Sequence, residues 1–349
     1  FPISAASTRP NHPEQAGHFS AAGGLGILLS DAFPEDLRGS LLVGDVVGNL
    51  LHRDVLRPDG PGFSAGRAQE ESRSEFFSAR DPAVRPVGAE TGPDGALYLL
   101  DMQRDVIEHP DYIPEKVRRD LDLRAGADRG RIYRLYPTNA PQIAPVQPAL
   151  DTADLPTLVA TLGHTNSWWR QTARRLLVER ADGTAEESLR RAATLGTNAP
   201  ARVAALWTLR GIHRLRAEDL LVGLQDLAPG VRENCMILAE DFHDEPRVHA
   251  AVCRAPSDSD ARVRFQAALA LGAWNDPKSV EALARIAGGE QDRQVGPADL
   301  DGAGQLDPVH AARHDNVRQH QVKGLARVQP GEGGGGVREL ADALVILAL

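Results

Sequence analysis

Glu108 and His109 stand side by side in this 349-residue chain, and a carboxylate next to a histidine is how a general base is oriented toward a hydroxyl proton. Asp101 and Arg104 precede them closely, so this stretch has the residue types to bind a cation or to take a proton. Glu108-His109-Pro110 also opens a loop, where a histidine is more often inert than catalytic. A second candidate is Arg85, with Arg80 and Asp81 as companions. A guanidinium can clamp a carboxylate with a bidentate pair, and the same group can tie neighbouring strands together through a carboxylate of the protein. Both readings of Arg85 stand on the sequence. No His, Cys or carboxylate cluster has metal-ligand spacing, so no metal site is expected. His310, His314 and His320 fall in a stretch without pattern. Cys235 and Cys253 form neither a CxxC pair nor a disulfide framework. Gly23-Gly24-Leu25-Gly26 lacks the strand-to-helix setting of a phosphate loop and reads as a turn between strands.

These residues need elements to hold them, and the composition allows two domains. Hydrophobic residues make up 42% of the chain, enough for real cores. With 39 Lys plus Arg against 48 Asp plus Glu the net charge is -9, which argues against nucleic acid or an anionic membrane surface as a partner. No run of 18 apolar residues occurs, so no membrane span is expected in this portion. The chain opens at Phe1 and no basic n-region before an apolar run precedes the fold, so no signal peptide is read in this portion and secretion is left open.

In the first domain, 1–137, the apolar residues between Gly23 and Pro137 come in short bursts between turn clusters such as Pro58-Asp59-Gly60 and Gly92-Pro93-Asp94-Gly95, which is the punctuation of strands. Gly39-Ser-Leu-Leu-Val-Gly-Asp45 recurs position by position as Gly95-Ala-Leu-Tyr-Leu-Leu-Asp101, 56 residues later. Each copy leads to a second strand that ends in an arginine, Leu50-Leu-His-Arg53 and Ile132-Tyr-Arg134, now 81 residues apart. Two copies of one unit predict blades of a partial β-propeller, with an insertion at about 102–129 that starts a short helix near Pro114. Two blades cannot close a ring, so the chain reads as a fragment carrying the closing blades. His52, beside Arg53, reads as an edge residue facing solvent or a neighbouring blade.

A Pro-rich linker, 138–153, leads to a different rhythm over 154–288. Four segments share an arginine, a small residue three on and an apolar residue seven on: Arg170/Ala173/Leu177, Arg202/Ala205/Leu209, Arg232/Cys235/Ala239 and Arg264/Ala267/Leu271. Their arginines lie 32, 30 and 32 residues apart, and these offsets fall on one helix face. This is an α-solenoid of HEAT/ARM-like repeats, each burying its face only against the next. Of Trp168 and Trp169, one must face away from the helical core, and packing on the first domain is the expected use. Over 289–349 the pattern stops. The tail reads as a flexible linker or as a stretch read out of frame, with Leu344-Val-Ile-Leu-Ala-Leu349 as a stray helix end.

Ala32-Phe-Pro-Glu-Asp-Leu-Arg-Gly39, Gly48-Asn-Leu-Leu-His-Arg53, Ser78-Ala-Arg-Asp81, Arg85-Pro-Val87, Gly92-Pro-Asp-Gly-Ala-Leu-Tyr98, Asp101-Met-Gln-Arg104, Val106-Ile-Glu-His-Pro110 and Asp128-Arg-Gly-Arg-Ile-Tyr-Arg134, in that order, resemble the closing blades of predicted membrane-bound dehydrogenases. The resemblance runs over about residues 17–288. It implies a glucose/sorbosone dehydrogenase-like propeller, HEAT repeats and a c-type cytochrome segment with CxxCH. It implies too a quinoprotein of the pyrroloquinoline quinone (PQQ) and calcium type that oxidises a sugar or alcohol. Electrons would pass to a haem c in a cytochrome segment or protein outside this chain, in a periplasmic or membrane-associated setting. By the same resemblance Arg85 would start a strand near the central axis and clamp a quinone carboxylate, with Arg80, Asp81, Asp101 and Arg104 around it. The chain departs from the family in lacking most of the propeller and any CxxCH, and in having Ala83-Val84 before Arg85. Haem binding and activity by this portion alone are therefore not expected, and hydride abstraction would fall to residues of other blades. The alternative is a non-catalytic scaffold whose propeller and HEAT surfaces bind protein or polysaccharide.

Overall fold

Short apolar runs bounded by Gly and Pro turns fold here as strands, and the helical rhythm that follows folds as paired helices. The computed structural model describes residue 19 and residues 21–138, 146–274, 276–289 and 344–348. The first antiparallel sheet has the order β1 (Ala22–Ile27), β2 (Leu41–Asp45), β3 (Leu50–Asp59), β4 (Gly62–Arg67), with β5 (Phe77–Ser78) also on β3. The second runs β6 (Pro86–Thr91), β7 (Leu97–Asp101), β8 (Arg131–Pro137), β9 (Leu344–Ala348), again antiparallel.

The echo in the sequence is an echo in register. Leu42 pairs with Arg53 in the first sheet, and Tyr98 pairs with Arg134 in the second. Gly39 and Gly95 both take the left-handed backbone, at φ 76° and 83°, that spares glycine the clash of a Cβ. Asp45 and Asp101 both end their strand by accepting backbone N–H groups two residues on, Val47 at 2.8 Å and Gln103 at 2.9 Å. Both arginines are buried on carboxylates, Arg53 Nε on Glu71 at 2.8 Å and Arg134 Nε on Asp94 at 2.7 Å.

Two expectations are corrected. Gly23-Gly24-Leu25-Gly26 is strand β1, not a turn. Gly24 and Gly26, with Gly44 on β2, are there because the two sheets meet backbone to backbone: a Cβ on Gly24, Gly26 or Gly44 would lie 2.1, 2.3 or 2.6 Å from the carbonyl oxygen of Val87, Ala89 or Pro86. Leu344–Ala348 is strand β9 rather than a helix end, since a five-residue apolar run is long enough for a strand and too short to form a helix with a buried face. Between the sheets Leu42, Leu51, Ala89, Leu97, Leu99 and Leu135 form one core with Leu28, Phe33 and Phe77. The insertion between β7 and β8 carries the one-turn helix α1 (Glu115–Arg118), with Pro114 at its N-cap.

The helices pair as α2 (Leu155–Thr161) with α3 (Ser167–Arg180), α4 (Glu186–Leu195) with α5 (Ala199–Gly211), α6 (Ala217–Gly223) with α7 (Pro229–Ala239) and α8 (Pro246–Val252) with α9 (Ala261–Ala273), followed by α10 (Pro277–Gly289). Helices α3, α5, α7 and α9 stack in one layer and α2, α4, α6 and α8 in the other. Side chains cap the starts: Asp154, Asn166, Asn198 and Asp260 each accept a first-turn N–H at 2.8 to 2.9 Å. The small and apolar residues of the repeat, Ala173, Leu177, Ala205, Leu209, Cys235, Ala239, Ala267 and Leu271, are all buried in one continuous core.

The start of α3 joins array to sheets. Trp169 donates its indole N–H to the Pro93 carbonyl at 2.7 Å, Asn166 Nδ2 donates to the Gly92 carbonyl at 2.9 Å, and the Ser167 amide donates to the Leu29 carbonyl at 3.1 Å. At the other end of the array the Arg262 guanidinium lies 5.3 Å over the ring of Phe63, near the tip of the β3–β4 hairpin.

Candidate functional site

Arg85, Asp101, Arg104 and the Asp81 turn form one network at the ends of the strands. The buried Arg85 spreads its guanidinium over three main-chain carbonyls: Nε on Arg104 at 2.8 Å, Nη1 on Val46 at 2.7 Å and Nη2 on Asp105 at 3.0 Å. The tie expected through a carboxylate runs through carbonyls instead, and it joins a loop of the first sheet to a loop of the second. Asp101 Oδ1 accepts the amides of Arg85 at 2.8 Å and Gln103 at 2.9 Å, while Oδ2 takes the Tyr133 hydroxyl at 3.3 Å. Burial first, and the nearby Asp101 second, push the Tyr133 phenol above its usual pKa. Arg104 donates to the Gly126 carbonyl at 2.8 Å, and its amide to Ala83 at 2.8 Å. Asp81 accepts the Ala83 amide at 2.9 Å, and Arg80 is exposed beside it. Each of the three nitrogens of the buried Arg85 holds a main-chain carbonyl, which commits this side chain to joining the two loops.

His109 and Glu108 are exposed. His109 Nδ1 accepts the Asp111 amide at 3.3 Å and the ring lies 5.6 Å from Tyr112, so its contacts stay within its own loop. It caps a 3-10 turn at Pro110–Tyr112.

The cluster that sequence reasoning missed surrounds His52. It is not an edge residue facing solvent: it is 8% exposed, with Nδ1 2.7 Å from Glu75 Oε2 and Nε2 3.0 Å from Asp54 Oδ1. Arg67 reaches the other Glu75 oxygen at 2.7 Å. The hydrogen bond to Glu75 raises the imidazole pKa against the opposing effect of burial. Burial pushes Glu75 upward, but its bonds to His52 and Arg67 outweigh that and hold its carboxyl below the usual range. On the other side of β3 burial raises the pKa of Glu71, despite Arg53, and its Oε2 has no hydrogen-bond partner among the described residues. With both nitrogens on carboxylates His52 is a charged pin, not a base. The strand that carries His52 was visible as a pattern; its pairing with Val43 and its partner Glu75, in a loop, were not.

A Ser, His and Asp also meet in the array, where His249 Nε2 lies 2.8 Å from Asp276 Oδ2 and 3.1 Å from Ser279 Oγ. The Ser279 hydroxyl donates to Asp276, which also accepts the Lys278 amide at 2.9 Å. This is a helix cap at the start of α10, with the order of a catalytic triad broken because the serine bonds the aspartate. Burial and Asp276 push the nearby Cys253 thiol up, away from a reactive thiolate. Among the described residues no group of three or more His, Cys, Asp or Glu is placed to hold a metal ion, and no helix is long and apolar enough to cross a membrane.

Residues 1–139 match a domain of unknown function, DUF7133, and residues 217–296 match HEAT repeats. The array over those residues is therefore of the HEAT type, attached to two antiparallel sheets. No curated protein matches the chain.

Proposed function

We propose that the two sheets are consecutive blades of a β-propeller, and that the HEAT array is a platform fixed to it for holding a partner. The observation that carries this reading is the repeated register: Leu42 opposite Arg53 and Tyr98 opposite Arg134, with the sheets packed through Gly24, Gly26 and Gly44. The outer faces support it, since Leu25 and Ile27 on one sheet and Val87, Leu100 and Met102 on the other are exposed apolar residues that further blades would cover. In keeping with the resemblance to membrane-bound dehydrogenases, the propeller oxidises a sugar or alcohol, and the platform holds the electron acceptor, a c-type cytochrome. The quinone and calcium of that chemistry would be held by other blades; Arg85 and Asp101 lock two loops of the scaffold.

The test is dye-linked oxidation of sugars by the longest natural form of the protein after loading with quinone and calcium. Arg85→Lys should lower its melting temperature and leave KM for quinone unchanged in the folded fraction. A KM for quinone that rises with no loss of stability would instead put Arg85 in the cofactor site. A complete absence of quinone-dependent turnover favours the second reading, a binding scaffold for protein or polysaccharide, which the structural commitment of Arg85 and Asp101 also accommodates.

A further inference from the structure

Four arginines open the long helices of the array, and they share one contact. Arg170, Arg202, Arg232 and Arg264 each donate Nη1 to the carbonyl six residues earlier, at 2.6, 2.9, 2.8 and 2.9 Å. Two of them place the opposite edge of the guanidinium on an aspartate of the next repeat. Arg202 grips Asp226 through Nε and Nη2 at 2.7 and 2.9 Å, and Arg232 grips Asp258 in the same way at 2.7 and 2.8 Å.

For Arg170 the matching position is Gly196, six residues before Arg202 as Asp226 is six before Arg232. No carboxylate stands there. A Cβ on Gly196 would lie 2.5 Å from the Ala192 carbonyl oxygen, so the backbone keeps a side chain out of the position. Arg170 Nη1 is held by His164 and Thr165, and among the described residues Nε and Nη2 take no hydrogen bond or ion pair. Asp31 acts on it through space while accepting the Thr165 hydroxyl.

One turn further on, Arg174 occupies the position held by Leu206 and Met236 in the next two repeats, both buried. It too makes no hydrogen bond or ion pair among the described residues, and Arg210 adds a like charge beside it. Arg174 is exposed, and desolvation together with the like charge of Arg210 lowers its pKa. Burial lowers that of Arg170 as well. Two guanidinium groups in this state are stabilised by an anion.

We propose that Arg170 and Arg174 form a binding site for a carboxylate-bearing ligand between the first and second helical repeats, the ligand's carboxylate taking the place of the aspartate that Gly196 cannot supply. The geometry of its binding is displayed by the neighbours, a bidentate fork on Nε and Nη2.

The whole chain, labelled with nitrogen-15, is titrated with sodium malonate and, separately, with sodium chloride at matched ionic strength, following the arginine Nε–H signals. The Arg170 signal should move saturably with malonate, with a dissociation constant on the order of millimolar, and not with chloride. Arg174→Ala removes a side chain that makes no hydrogen bond or ion pair among the described residues, and malonate binding should weaken about tenfold, with the melting temperature checking that the fold is kept. Arg170→Lys, which loses the fork, should abolish the saturable response. Hexaglutamate separates the sources of the carboxylate: binding more than about tenfold tighter than malonate identifies an acidic peptide segment, and equal affinity identifies a small carboxylate. An Arg170 signal that follows chloride as it follows malonate, or an Arg174→Ala protein that binds malonate like the wild type, overturns the proposal.

Discussion

His52 Nδ1 lies 2.7 Å from Glu75 Oε2, and the two side chains are 10% and 2% exposed. Their pKa directions fix how the first sheet responds to pH. The His52 pKa is raised, chiefly by the bond to Glu75. Its contribution to stability is therefore full below the unfolded value of about 6.5 and is lost as pH rises through the folded value. Burial raises and His52 and Arg67 lower the Glu75 pKa, with a net depression; its contribution is present above about pH 4.5 and is lost as pH falls through the folded value. The contribution of this pair should be greatest between these limits. His52→Gln should cost roughly 3 kcal/mol at pH 6 and flatten the fall in stability above pH 6.5, as measured by denaturant unfolding. An unchanged slope there would assign the alkaline loss to another group.

Gly26 lets β1 approach the Ala89 carbonyl, where a methyl group would sit at 2.3 Å. Gly26→Ala should push the two sheets apart and cost about 3 kcal/mol or more, because the obstacle is backbone and cannot rotate away. Gly23, whose added Cβ meets nothing within 4 Å, is the control on the same strand. Melting temperatures of the two variants make the comparison, and equal values would contradict the close packing of the sheets.

The contrast between those two glycines shows what the sequence carried. Strand pairs built by local repetition were legible: the 56-residue offset from Gly39 to Gly95 and the 81-residue offset from Arg53 to Arg134 both reappear as register. So were the helix faces of Arg170/Ala173/Leu177 and its three successors, since offsets of three and seven encode a face within one helix. The tryptophan expected on the first domain is Trp169, bonded to Pro93. What stayed hidden depends on partners far along the chain with no periodic mark. Arg85 finds the Val46 carbonyl across 39 residues, a group that every residue type possesses. His52 is buried by Glu75, 23 residues away and outside any strand. The glycines of β1 read as a turn because local preference cannot show that another backbone will lie against them.

Asn166 acts twice, accepting the Trp168 amide at 2.8 Å to cap α3 and donating to the Gly92 carbonyl at 2.9 Å. Asn166→Ala should lose both, about 2 kcal/mol. Trp169→Phe keeps the ring and removes only the N–H that meets Pro93, at about 1 kcal/mol. Hydrogen exchange at residues 92–96 should accelerate in both variants while the α7 and α9 amides keep their protection. Uniform acceleration across the array would mean that sheets and helices unfold as one unit rather than parting at this seam.

Asp226 holds Arg202 across the second and third repeats with two bonds of 2.7 and 2.9 Å, and the side chains are 14% and 17% exposed. Burial raises the carboxyl pKa, the bond to Arg202 lowers it, and the net result is a depression. Its contribution is thus present above the unfolded value of about 3.9 and disappears as pH falls through the folded value. Asp226→Asn keeps the shape and leaves Arg202 without its counter-charge, so at pH 7 it should cost about 1 to 3 kcal/mol. Ala267→Trp tests the same stacking from the inside, because Ala267 is fully buried between helices and overpacking there should cost about 1 to 3 kcal/mol. The asparagine variant should lose its penalty as pH falls through the depressed folded pKa of Asp226, whereas the tryptophan variant should keep its penalty at every pH. Parallel pH dependence in the two would show that the Arg202 to Asp226 pair contributes nothing beyond packing.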